Sequence, residues 1–233
     1  MANHDLAALI VQRFIMGPNT PLQDLPPEER EQAAEVLTNE VQEILDAYGP
    51  SAFESPRSAA IAHEVGHAIV SAHDNVPVEK IVISNTPKQG EHAWHGVTTQ
   101  KGQPLPIGPD TPVIEALSHA CFIIAGEVGE AVLVPDDHRA GTALDEVFFS
   151  HRIASAMAGR VKMEPSDLCE EIRKRSWHII AHNEAVAREL MAKLDRTESL
   201  QRRALTDVLD RVRKIAGDWQ WIPGTLNGGN DGR

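Results

Sequence analysis

The chain predicts a mainly helical α+β fold, with a small β-sheet or hairpin beside a helical core. Three observations carry that expectation. Apolar residues recur at helical spacing over most of the 233 residues. Runs rich in β-branched residues are confined to the stretch between Pro77 and Gln100. Proline and glycine punctuate the joins between the helical stretches.

Taken in order, Leu6–Met16 predicts a short helix ending near Gly17-Pro18. Pro26-Pro27-Glu28-Glu29 opens a second helix, with acids where the helix dipole favours them, and Val36, Leu37, Val41, Ile44 and Leu45 carry it to Gly49-Pro50. Ser58–His73 predicts a buried helix, because its flanks are small and apolar. Strands are expected over Pro77–Ser84, where Val78, Ile81, Val82 and Ile83 are β-branched, and over Trp94–Gln100. Thr111–Val134 predicts a long apolar helix, followed by a polar loop at Pro135–Gly141 and a helix over Ala143–Ala158. Three more helices are expected, over Pro165–Lys174, Trp177–Leu194 and Ser199–Ile215. The implied organisation is a helical extension over 1–50, a principal domain over 51–221 and a Gly- and Asn-rich flexible tail over 222–233.

Composition narrows the partners. Lysine and arginine number 22 against 34 acids, a net charge of −12, which disfavours nucleic acid and anionic membranes. Cys121 and Cys169 form no C-x-x-C pair, which favours a reducing compartment and leaves no sulfur metal site. Asp5, Gln12 and Arg13 interrupt the N-terminal apolar stretch, so no signal peptide is expected. Glu127 and Glu130 break the longest apolar region, Ala120–Val134, so no membrane span is expected either. A soluble, cytoplasmic protein is the expectation.

The chemistry concentrates at His63-Glu64-Val65-Gly66-His67, the H-E-x-x-H arrangement of zinc hydrolases. On a helix, residues i and i+4 share a face with β-carbons about 5–6 Å apart. Zinc–nitrogen bonds of about 2.0–2.1 Å let both rings reach one ion. Glu64, beside the first ligand, is placed to act as general base on a water that the ion activates. The competing reading is a surface amphipathic helix that happens to carry two histidines. Its apolar flank opposes this, since buried imidazoles and a buried carboxylate are costly without partners.

A third protein ligand is required, and the residues alone leave several candidates. His73 has the metzincin spacing, but Val70 stands where that pattern needs a glycine. His92 and His95 lie in the strand region, where a surface role competes. Glu127 and Glu130 sit on an apolar helix and suit ligation, support of a ligand imidazole, or pairing with Arg139 or Arg152. Asp145 lies at a helix start, where an acid commonly serves only as a cap or dipole partner.

The residues also carry a family likeness. Ala62-His63-Glu64-Val65-Gly66-His67-Ala68-Ile69-Val70 resembles the H-E-A-G-H-A signature of the peptidase domain of the FtsH family of zinc metalloproteases. Pro77–Ile83 is similar to its following strand, and His95-Gly96-Val97-Thr98 to the edge strand against which its substrates lie. Ala125-Gly126-Glu127-Val128-Gly129-Glu130 resembles its A-G-R-x-A-E helix, and Gly141-Thr142-Ala143-Leu144-Asp145 its G-A-S-N-D element. The likeness runs from about Ser55 to Ile215. It implies Asp145 as third zinc ligand, Glu130 as a group holding a ligand imidazole, and Gly96, Val97 and Thr98 as the substrate-binding edge. Leu144 and Glu127 depart from the family's asparagine and arginine. Unlike that family, the chain is expected to work without an ATPase module or membrane anchor of its own.

The resulting expectation is a zinc-dependent metalloendopeptidase acting on peptides or unfolded polypeptides. His63, His67 and Asp145 bind Zn2+, and Glu64 is the catalytic base. A homo-oligomer or a separate unfoldase is the expected protein partner. The alternative expectation is a catalytically silent, protease-like binding module that works through a partner protein.

Overall fold

A computed structural model describes residues 3–12, 25–85, 94–101, 108, 110–139 and 141–219. Among these residues the protein is mainly α, with eight α-helices and one three-stranded antiparallel sheet. In chain order the elements are α1 (Asn3–Ile10), α2 (Pro27–Tyr48), α3 (Arg57–His73), β1 (Val78–Ser84), β2 (His95–Gln100), α4 (Val113–Leu133), α5 (Leu144–Val161), α6 (Pro165–His182), α7 (Glu184–Thr197), β3 (Ser199–Gln201) and α8 (Arg203–Leu209).

Local chemistry accounts for most of the boundaries. Pro27 and Pro165 sit in the first turns of α2 and α6, where a missing N–H costs nothing. Gly49 ends α2 at φ 75°, the left-handed backbone that glycine adopts freely. The expected break at Lys174–Trp177 does not occur, because α6 runs unbroken to His182. The chain breaks instead at the buried Asn183. Its side-chain amide donates to the Ile179 and Arg213 carbonyls, while its oxygen accepts the Arg213 N–H at 2.7 Å. The helix expected over Ser199–Ile215 is corrected as well. Ser199–Gln201 forms β3, and only Arg203–Leu209 is helical after it. Ser199–Gln201 pairs instead with Lys80–Val82 of β1, which supplies its backbone hydrogen bonds.

The sheet order is β2-β1-β3, so β1 is central and β2 is an edge strand. Ile81 and Ile83 of β1 point into the core. The 222–233 tail expected to be flexible lies outside the described residues, as does His92.

The helix α4 runs through the middle of the fold and packs against α3, α5 and α6. Its length and composition would suit a membrane span, but 72% of the relevant window is buried against other elements. Its apolar character is therefore used by the core. α3 and α4 cross backbone to backbone at Gly66 and Gly129. A β-carbon at Gly66 would collide with the Ala125 carbonyl, and one at Gly129 with the Ala62 carbonyl. A second, smaller apolar cluster joins α1 and α2 to the start of α5 through Ala7, Leu37, Val41, Leu45 and Leu144.

Candidate metal centre

The close α3–α4 crossing sets the site. It brings the His63-to-His67 face of α3 against α4, where Glu146 in the first turn of α5 reaches both rings. Each imidazole is held from behind through Nδ1. His63 Nδ1 lies 2.9 Å from Glu130 Oε1, and His67 Nδ1 lies 2.8 Å from the Phe122 carbonyl oxygen. Both partners accept, so both rings carry their proton on Nδ1 when neutral and present the Nε2 lone pair forward. This is the tautomer a metal requires. Glu130 is almost fully buried, and Thr142 Oγ1 donates to it at 3.1 Å. The structure thus places Glu130 against the back of the His63 ring.

The two Nε2 atoms converge on one carboxylate oxygen. Glu146 Oε1 is 3.0 Å from His63 Nε2 and 3.0 Å from His67 Nε2. These three residues form a cluster whose ligand atoms lie within 4.8 Å of one another. A tetrahedral ion with bonds of about 2.0–2.2 Å separates its ligands by roughly 3.3–3.6 Å, a little more than the 3.0 Å between each ring nitrogen and the carboxylate oxygen. Two buried oxygens at this place, Glu146 Oε2 and Glu64 Oε2, have no hydrogen-bond partner. Such orphaned acceptors are expensive unless a cation or its water satisfies them. Two imidazole nitrogens and a carboxylate are a donor set that zinc accepts.

The resemblance pointed to Asp145, but Glu146 is the acid that joins the two rings. On α5 the buried positions Ser150, Ile153, Ala154, Met157, Ala158 and Val161 form one stripe. One turn back from Ser150, that stripe meets Glu146. Asp145 lies about 100° away, in line with the exposed Arg152. Its carboxyl is raised to about 6 by burial and by the neighbouring Glu146 charge, against the Glu146 backbone N–H, the His63 charge and its own N–H. The stripe could have indicated Glu146 from sequence; the motif comparison selected the adjacent residue.

The groups of the cluster favour one another's charged forms. Burial disfavours charge on His63, yet Glu146 and Glu130 outweigh it and raise the imidazole well above its ordinary value. His67 is raised in the same way, by Glu146 against burial. Burial also opposes the Glu146 anion, but the two imidazoles lower it to about 2. Burial raises the Glu64 carboxyl, against the pull of the same two rings.

The strand β2 passes directly over Glu64. A β-carbon on Gly96 would fall on the Glu64 side chain, so glycine is what permits the approach. Thr98 Oγ1 donates to the Glu64 carbonyl oxygen at 3.0 Å, tying the strand to α3. His95, Val97 and Thr99 are exposed, and β2 pairs only with β1 among the described residues.

The other candidates are placed elsewhere. His73 lies buried in a separate cluster, where its Nδ1 is 2.8 Å from Asp74 Oδ1 and its Nε2 accepts the Ile215 N–H. Arg175 occupies the carboxylates there, with forked hydrogen bonds to Asp74 and Asp218. That cluster is an ion-pair network rather than a vacancy for a metal. His95 is exposed at the start of β2, away from the three converging groups. Glu127 pairs with Arg173 and His138, not with the expected Arg139 or Arg152. Arg152 pairs with Glu29, and Arg139 donates to the Asp136 and His138 carbonyls. The chain matches no family model and, at a significant level, no curated protein.

Proposed function

We propose that the protein is a zinc-dependent metallopeptidase in which His63, His67 and Glu146 hold the ion and Glu64 is the catalytic base. The observation that carries this reading is the single Glu146 oxygen 3.0 Å from both ligand-facing Nε2 atoms, beside a buried Glu64 oxygen without a partner. Bound zinc would supply Lewis-acid chemistry, acidifying water and polarising a carbonyl. Glu64 Oε2 takes a proton from the attacking water and returns it to the leaving nitrogen. Its raised affinity for a proton suits both halves of that exchange. An extended peptide adds to the free side of β2 by main-chain hydrogen bonds, which demands little of its sequence. Gly96, Val97 and Thr98 thus lie along the substrate-binding edge, and unfolded polypeptide is the fitting substrate class. The likeness to FtsH-type peptidase domains belongs to this proposal and supports the same chemistry, with Glu146 replacing Asp145 as the third ligand. A cytoplasmic setting with a homo-oligomeric or separate unfoldase partner completes it.

The test is cleavage of an unfolded casein-type substrate by zinc-loaded protein. Cleavage abolished by chelator and by Glu64→Gln is expected. Zinc bound by His63, His67 and Glu146 without any cleavage would favour the silent binding module instead.

A further inference from the structure

Behind the ligand His63 stands a row of alternating charges that the proposed chemistry does not use. Glu130 Oε1 meets His63 Nδ1 at 2.9 Å. The other Glu130 oxygen faces His138 Nδ1 at 3.6 Å, within ion-pair range but longer than a hydrogen bond. The far side of the same imidazole, Nε2, lies 3.5 Å from Glu127 Oε1. Arg173, half-exposed on α6, closes the row by donating to Glu127. His138 Nδ1 and Glu127 Oε2 are both buried without a hydrogen-bond partner. The row thus connects the solvent face of α6 to the back of a metal ligand.

A carboxylate supported by one neutral ring and one hydroxyl can rotate and lose its grip. A cation beside its second oxygen, which also accepts from Thr142 Oγ1, holds it. We propose, resting on the zinc-site reading above, that His138 is a positioning residue whose imidazolium holds Glu130 on His63 and thereby strengthens metal binding. The groups facing His138 are Glu127 and Glu130 of α4 and Arg173 of α6. In its own loop are Asp137, which accepts from Ser58, and Arg139, which donates to the His138 carbonyl. The contact with Glu130 raises the His138 imidazole, partial burial and Arg173 oppose it and Glu127 adds to it, so the cation persists to higher pH than on a free imidazole. The sign follows. The support is present at low pH and fades as pH rises through the His138 value.

The experiment measures the zinc dissociation constant by chelator competition from pH 6 to pH 9 for wild type, His138→Gln and His138→Lys. Thermal unfolding is recorded for each. Partners behind a ligand are commonly worth about 10–100-fold in affinity, so His138→Gln is expected to weaken binding up to roughly tenfold at pH 6, with the gap closing by pH 9. His138→Lys, charged throughout, keeps its advantage over His138→Gln at pH 9. A gap that is the same at every pH, or no gap at all, would overturn the role of His138. A failure of the lysine variant to bind better than the glutamine variant, with both folded, would also overturn it. Absence of saturable zinc binding by wild type removes the metal centre itself and this inference with it, which separates the two failures.

Discussion

At the level of single residues, the fate of zinc and the fate of turnover come apart. Glu64→Gln keeps both ligand rings and Glu146, so it is expected to bind zinc like wild type while cleavage falls by about 10²–10⁴-fold, the usual weight of a general base. Glu146→Ala is expected to lose zinc in metal analysis, whereas Asp145→Ala retains it. The opposite pattern would reject the assignment of Glu146. Zinc binding itself should weaken as pH falls. His63 and His67 have raised values, so each holds its proton to higher pH than a free imidazole and the ion must displace it. A zinc titration with a pH-indicator dye should show proton release at pH 7. That His63 and His67 share one face was legible from helical spacing, whereas burial cost alone left Glu127 and Glu130 as equal candidates and only the resemblance singled out Glu130. The difference between Asp145 and Glu146 was legible only in the phase of the α5 stripe, which the motif comparison passed over. His138 was silent in sequence because its role comes from a loop folding back on α4.

At the level of elements, the crossing of α3 and α4 is the foundation of the site. α3 carries both imidazoles, and α4 carries Glu130 and the Phe122 carbonyl that orient them. Gly66→Ala places a methyl group on the Ala125 carbonyl and must push the helices apart. It is expected to cost about 1–3 kcal/mol in denaturant unfolding and to weaken zinc as well. Gly159→Ala on α5 is the control, because open space surrounds that position. It should be neutral or stabilising by up to about 1 kcal/mol. The helix-rich pattern and the first two strands were visible in residue periodicity. β3 was not, because three residues carry too little pattern and only the partner β1 makes them a strand. The α6–α7 break was missed for a related reason, since Asn183 acts through Arg213, thirty residues away.

For the whole molecule, Arg175 ties the end of α3 to the C-terminal turn. Its guanidinium, buried and stacked 4.1 Å from the Trp219 ring centroid, binds Asp74 and Asp218 together. Arg175→Ala strands two carboxylates and is expected to cost about 3–5 kcal/mol, read as a thermal shift of roughly 10 °C. Asp74 is lowered: burial opposes its charge, but His73 and Arg175 more than compensate. Its contribution is therefore complete above its ordinary value of 3.8 and disappears as pH falls through the depressed folded value. Asp74→Asn should show the largest deficit near neutrality and converge with wild type in strong acid.

Leu144 belongs to the apolar cluster of α1 and α2, and Glu146 stands only two residues further along the same turn. The proposed metal grip and a greasy anchor therefore hang from one rigid peg. Whatever loosens the seat of the N-terminal helices will tilt that peg, so lesions there should surface as leaky zinc retention in protein that otherwise keeps its shape.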